Sequence, residues 1–322
     1  MSTRLRNRLG KRTSGGGKIV KGHPTVSWDE LPEWQRDNEY ILTGYRRIQN
    51  HWPGCIQSVY AYFHNESVNI HTHLAGGILF IYFLATFREV HMQQYAASTW
   101  VDSAVLAVFL ISAVFCLLAS AFFHTSTCHS KEVASRCHAL DYSGIVILTV
   151  GEAHSIPLFI LVFSVNLYCK GCISYPLLSS ASVRRNHSHA PGPDVLGDTG
   201  AAYVVLDPEY AKPTHRGART GVFIGLGLSG IVPVVHCTLT SGVHRVFFQQ
   251  GFSWIVVSAA LYIAGALLYA NRIPERLAPG KFDYLFASHQ IFHCCVVAAA
   301  TAHYAGVLTA LRFTYSESNV CA

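Results

Sequence analysis

The chain has 322 residues, 51% of them hydrophobic and only 13% charged. That charged share is about half the ~25% of a soluble globular domain. With a mean hydropathy of +0.28, it excludes an ordinary soluble enzyme and points to a chain embedded in lipid. The formal charge of +6 is unevenly spread, and no nucleic-acid partner is expected.

Residues 1–21 carry Arg4, Arg6, Arg8, Lys11, Arg12, Lys18 and Lys21 and no acid. They read as part of a basic disordered tail over 1–26, compatible with weak attraction to anionic lipid. No apolar run follows closely enough for a secretory signal peptide, so the first span is expected to direct insertion itself. Residues 27–70 are amphipathic and rich in aromatics such as Trp28, Trp34, Tyr45 and Trp52. They suit a cytoplasmic helix and loop at the membrane interface, or a small soluble subdomain.

A transmembrane bundle is expected over 71–313, with apolar segments at about 71–88, 101–123, 142–168, 221–240, 252–270 and 286–310. Each is long enough to cross a bilayer. Each must be helical, because backbone groups in lipid have to bond within their own segment. Gly221, Gly225, Gly227 and Gly230 read as a small-residue face for close helix packing. Residues 314–322 form a C-terminal tail.

Four basic regions set the orientation: the N-terminal tail, Lys131 with Arg136, Lys212 with Arg216 and Arg219, and Arg272 with Arg276 and Lys281. The positive-inside rule puts all four, and hence the N-terminus, in the cytoplasm. A return crossing is then needed between 168 and 212. Yet 170–211 holds Arg184, Arg185, Asp194, Asp198 and three prolines, and no apolar run of spanning length. The expectation is a fourth span that is degenerate or missing, within an irregular insert.

Three constellations carry chemistry. Ser120 and His124 stand four residues apart at the end of the second span and share a helix face. His289 and His293 do the same at the start of the last span, and Asp141 opens the third. With alternating span direction, all five fall at one depth near the inner leaflet. Ionisable groups inside spans are expensive and usually functional. Three imidazoles with a fourth position open are a ligand set of catalytic zinc. The carboxylate and hydroxyl beside them can hold a bound water, which zinc would acidify, and a substrate oxygen. Haem held by paired histidines remains an alternative, with three histidines and an acid favouring zinc.

Other residues have plainer readings. His71 and His73 suit capping or packing, and His129 and His138 suit solvent contact in a short loop. His154, with Glu152 near it, and His236 suit hydrogen bonds between helices, and His236 also suits a polar cavity. Asn65-Glu66-Ser67 is a glycosylation sequon in form, unused on the cytoplasmic side. Cys116, Cys237, Cys294 and Cys295 are packing thiols, and Cys169-x-x-Cys172 is weak as a disulfide signal.

Several long motifs are shared with a known family. They are Leu31-Pro-Glu-Trp-Gln-Arg-Asp-Asn38, Asn65-Glu-Ser-Val-Asn-Ile-His-Thr-His-Leu74, Ser120-Ala-Phe-Phe-His124 and Leu140-Asp-Tyr-Ser-Gly-Ile145. Downstream come the glycine-rich run from Arg219 to Gly230, Arg272-Ile-Pro-Glu-Arg276, Pro279-Gly-Lys-Phe-Asp283 and Ser288-His-Gln-Ile-Phe-His293. Over about 27–313, except 170–210, the chain resembles the progestin and adipoQ receptor family. That family includes adiponectin receptors, fungal zinc-homeostasis homologues and bacterial haemolysin III proteins.

The resemblance implies an all-α integral membrane protein, a seven-helix bundle with its N-terminus inside. It implies zinc held by His124, His289 and His293, with Asp141 on the zinc-bound water and Ser120 as the motif serine. It also implies a lipid-accessible cavity, ceramidase-type hydrolysis of a ceramide or other sphingolipid amide, and a role in lipid or zinc homeostasis at the plasma membrane or endoplasmic reticulum. The competing expectation is a receptor or sensor in which zinc is structural.

Overall fold

The structure is a computed structural model that describes residues 24–95, 98–169, 215–228, 231, 234–235, 238–239 and 242–318, the backbone alone at 154, 156–169 and 317–318. It is mostly helical. A two-stranded antiparallel ribbon, β1 (Thr25–Val26) with β2 (Tyr45–Arg46), pairs Thr25 with Arg46. After it come α1 (Trp52–Ala61), α2 (Ser67–Phe87), α3 (Trp100–Ser126) and α4 (Lys131–Cys169). The remaining helices are α5 (Arg216–Leu228), α6 (Phe252–Asn271) and α7 (Ser288–Ser318).

Four stretches are long and apolar enough to cross a membrane: Ser67–Met92, Trp100–Ser126, Phe252–Leu277 and Ser288–Ser316. The spans expected at 71–88, 101–123, 252–270 and 286–310 fall on them. The helices run further than the hydropathy does. Residues 131–140 contain no glycine or proline to stop a helix, so α4 begins well before the expected 142 and Asp141 lies inside it. His138 therefore belongs to a helix rather than a loop, and its ring packs between Phe123 and Tyr142. The expected degenerate fourth span at 170–211 lies outside the described residues.

α3 and α7 are central: 56% of the apolar window of each is buried, against 28% for α2 and 17% for α6. α3 packs on α2 and α4, and α6 packs on α7. The core is built from Phe80, Phe109, Leu110, Leu117, Phe252 and Val296. Ile78, Tyr82, Ile111 and Val256 face outward, as lipid-facing side chains do. At the far end of the bundle, Tyr315 donates to Asp102 at 2.5 Å, and Asp102 also closes a capping box with Thr99 at the start of α3.

The glycine stripe expected to pack closely does not do so among the described residues. A Cβ at Gly221, Gly225 or Gly227 would meet nothing within 4 Å. One close approach of helices is at Gly144, where a Cβ would lie 2.9 Å from the Cα of Cys116. That contact is backbone, so α3 and α4 meet there only because residue 144 has no side chain. It lies three residues past Asp141 on α4 and four before Ser120 on α3, and so sets how those two residues face each other.

The segment before α2 forms a collar over the bundle end. Arg46 is buried, and its guanidinium covers the last carbonyls of α3, donating to His124 O and to Thr125 O (3.3 Å). It also donates to Ser58 Oγ (2.8 Å) and Thr127 Oγ1 (2.7 Å). A cation is favoured at a helix C-terminus, where carbonyls lack intrahelical partners. Asp283 accepts from the Leu42 and Thr43 amides, each at 2.9 Å, and from Thr43 Oγ1 at 2.6 Å. Fully buried Glu275 accepts from Asn38 Nδ2 (3.1 Å), the Ser288 amide (2.7 Å) and the Ser288 hydroxyl. Asp37 receives two bonds from Arg216, at 2.7 and 2.8 Å.

Gly144→Ala should force α3 and α4 apart and cost about 1–3 kcal/mol, the usual range for overpacking. Gly221→Ala should cost nothing. The check is the thermal midpoint of the purified protein in detergent, and equal midpoints for the two variants would contradict the close contact.

Candidate metal centre

His124 closes α3 while His289 and His293 open α7, so two helix ends deliver three imidazoles to one point. The facing nitrogens are all Nε2. That of His289 lies 3.2 Å from His124 and 3.1 Å from His293. His124 and His293 are 3% and 2% exposed, so water does not separate the rings.

The opposite ring atoms decide what these nitrogens are. His293 Nδ1 lies 3.1 Å from Asn69 O, a carbonyl that can only accept, so Nδ1 carries the hydrogen. His124 Nδ1 lies 2.7 Å from Glu66 Oε2 and donates to that carboxylate. In their neutral forms both rings therefore present bare lone pairs at Nε2. His289 can donate its single hydrogen to only one of them. Unshared lone pairs held this close repel each other, and a cation among them removes the conflict.

The donor set fits zinc. Three neutral imidazoles with one coordination position free is a familiar zinc arrangement. Tetrahedral ligands at about 2.0–2.1 Å from zinc stand about 3.3–3.4 Å apart, close to the nitrogen spacings here. A haem macrocycle has no room between nitrogens 3.1–3.2 Å apart, so that alternative falls.

Glu66 is the residue that sequence reading missed. It precedes α2, and its Oε2 also accepts from Asn69 Nδ2 at 2.7 Å. Burial works against its charge, but His124 and the Asn69 amide outweigh burial and hold its carboxyl well below the usual range. It therefore remains a carboxylate and locks the His124 tautomer, as carboxylates that hydrogen-bond a ligating histidine do at metal sites. Its sequence signal was misleading, since Asn65-Glu66-Ser67 reads first as a sequon. His73 was read as capping or packing. Its ring does stack on His293, with centroids 3.7 Å apart, yet neither ring nitrogen has a partner among the described residues.

A cavity of about 450 Å³ adjoins the trio. His73, Ser120, Asp141, His289 and His293 all line it, with His124 behind. Asp141 and Ser120 are both buried and stand together on the cavity wall. The five residues expected at one depth are thus gathered at one end of the bundle.

The chain matches the family model described as haemolysin-III related over residues 61–304. It is 36% identical over 285 residues to progestin and adipoQ receptor-like protein 1 of Caenorhabditis elegans, covering 88% of this chain and 60% of that one. It is 33% identical over 310 residues to ADIPOR-like receptor IZH2 of Saccharomyces cerevisiae, covering 95% and 91%. It is 35% identical over 299 residues to the adiponectin receptor protein of Drosophila melanogaster, covering 91% and 61%. The chain thus spans about three fifths of the worm and fly relatives and most of the yeast one.

Glu66→Gln keeps the shape but weakens the hold on His124. Zinc affinity of the purified protein should fall about 10- to 100-fold, the usual effect of losing such a partner, as read by competition with a chromophoric chelator. Unchanged affinity would remove Glu66 from the site.

Proposed function

We propose that this chain, which belongs to the haemolysin-III-related family, binds zinc through His124, His289 and His293 and hydrolyses a lipid amide of the ceramide class. The observation that carries the reading is the convergence of three Nε2 atoms with the His124 and His293 Nδ1 atoms spoken for. Zinc held there supplies Lewis-acid polarisation of a carbonyl and activation of water at neutral pH.

The chain's own residues do the rest. Apolar walls such as Ile145, Leu148, Ile255 and Phe292 accept acyl chains and exclude bulk water from the amide. His73 offers the substrate head group a hydrogen-bonding ring otherwise unpartnered among the described residues. Ser120 steers Asp141 from beside it on the cavity wall. Asp141 orients the attacking water, takes its proton on a carboxylate oxygen and passes it to the amide nitrogen. The new bond is from the water oxygen to the acyl carbon, and the bond broken is carbon to nitrogen. The products are a fatty acid and a sphingoid base. The basic collar and the loop before α7 lie on the cytoplasmic side, at the plasma membrane or endoplasmic reticulum.

A second reading has support in the collar. Arg46 bonds the carbonyl of His124 itself, so movement at a zinc ligand reaches the cytoplasmic segment directly. In a receptor or sensor the same centre is structural, and lipid binding shifts the collar.

Zinc-loaded protein should release fatty acid from ceramide. His293→Ala should lose both metal and turnover. Asp141→Asn should retain metal while turnover falls about 10²- to 10⁴-fold, the range for a lost general base. Full zinc occupancy with no turnover of any sphingolipid would leave the sensor reading standing instead.

A further inference from the structure

The cavity has a second polar group that hydrolysis does not use. Glu152 and Tyr262 line it together, and Tyr262 donates to Glu152 Oε1 at 2.7 Å. His303 lines the same region and is bonded to buried Ser155 at 2.8 Å. The Tyr262 bond uses one carboxyl oxygen of two. No described residue bonds Oε2.

Two helices give the distance between this group and the metal centre. On α4, Asp141 and Glu152 are eleven residues apart, about 16 Å of helix. On α7, His293 and His303 are ten residues apart, about 15 Å. Between the ends the wall is mostly apolar, with Ile145, Leu148, Ile263 and Val296. An unpaired carboxyl oxygen beside such a wall is costly, so a partner arriving through the cavity is favoured.

We propose that Glu152 and Tyr262 form a recognition site for a hydroxyl group carried partway along a lipid acyl chain. The proposal rests on the lipid-amide reading and names the substrate class within it. An extended chain gains about 1.2 Å per bond, judging from the extended polypeptide backbone. A head group at the metal centre therefore brings about a dozen bonds of chain to Oε2. The fitting ligand is an acyl chain hydroxylated near its twelfth carbon. A neutral hydroxyl suits the site because it donates to the carboxyl without adding a second buried charge. A carboxylate on the chain would be repelled.

The test compares 12-hydroxystearate with stearate, each displacing a fluorescent fatty acid from the purified full-length protein in nanodiscs. The hydroxy acid should bind about tenfold more tightly, the yield of one hydrogen bond to a carboxyl group. Moving the hydroxyl to carbon 6 should abolish the advantage. Glu152→Leu should equalise the two acids. If that variant does not fold, Glu152→Gln keeps an acceptor for Tyr262 and should still reduce the advantage. Equal affinities in the unaltered protein would overturn the hydroxyl site and leave the lipid cavity standing. Failure of both acids to bind would overturn the lipid reading beneath it.

Discussion

Three imidazole nitrogens gathered at one point, with that of His289 3.1–3.2 Å from each of the other two, are the constraint inside an apolar bundle on which the rest of the molecule depends. Neutral imidazole has one donor and one acceptor. Asn69 and Glu66 claim the donors of His293 and His124, so the acceptors are left to face each other. That arrangement is unfavourable in water-free surroundings unless something electron-poor sits between them. The surrounding structure resists the rings' escape: His73 lies flat on His293, and the ends of α3 and α7 are both tied down. The cluster is thus held in a geometry that could hold a metal ion.

The ties explain why so many polar residues cluster at one end of a hydrophobic protein. Arg46 satisfies the carbonyls where α3 ends, so His124 does not fray with the last turn. Glu275 accepts the amide and hydroxyl of Ser288, immediately before His289, and Asn38 of the collar reaches the same carboxylate. Asp283 fastens the loop before α7 to the backbone of residues 42 and 43. The collar bridges the two helix ends that carry ligands, and the spacing between His124 and His289 follows from it.

Much of this was legible in the sequence. The spans were readable because apolar runs of that length have few alternatives. The histidine trio was readable because i, i+4 spacing puts two side chains on one face whatever the surroundings. What escaped were features that depend on distant residues. Glu66 lies outside any span, and its role exists only where α3 and α2 meet. The collar contacts join residues more than 200 positions apart, as with Asn38 and Glu275. The glycine stripe on α5 suggested close packing by composition alone, whereas Gly144, a single glycine in a less conspicuous setting, makes a close contact. Helix starts were misplaced because hydropathy marks where lipid begins, while a helix continues until something stops it.

Charge balance gives the arrangement a further reason. A dication among three neutral imidazoles would carry its whole charge into a medium that penalises it. Glu66 touches one ligand from the collar side and Asp141 faces the cavity, so two carboxyl groups together can supply the two compensating charges. Glu66 carries its charge just outside the span, held there by His124 and the Asn69 amide, and Asp141 stands near the same end. Glu152 does not belong to this balance. It lies about 16 Å deeper along α4, too far to compensate the metal centre directly, in a part of the bundle where a carboxyl group is most expensive. One tyrosine hydroxyl does not offset that cost. A group placed there at a loss to stability, facing a cavity and not its neighbours alone, is best understood through what enters the cavity.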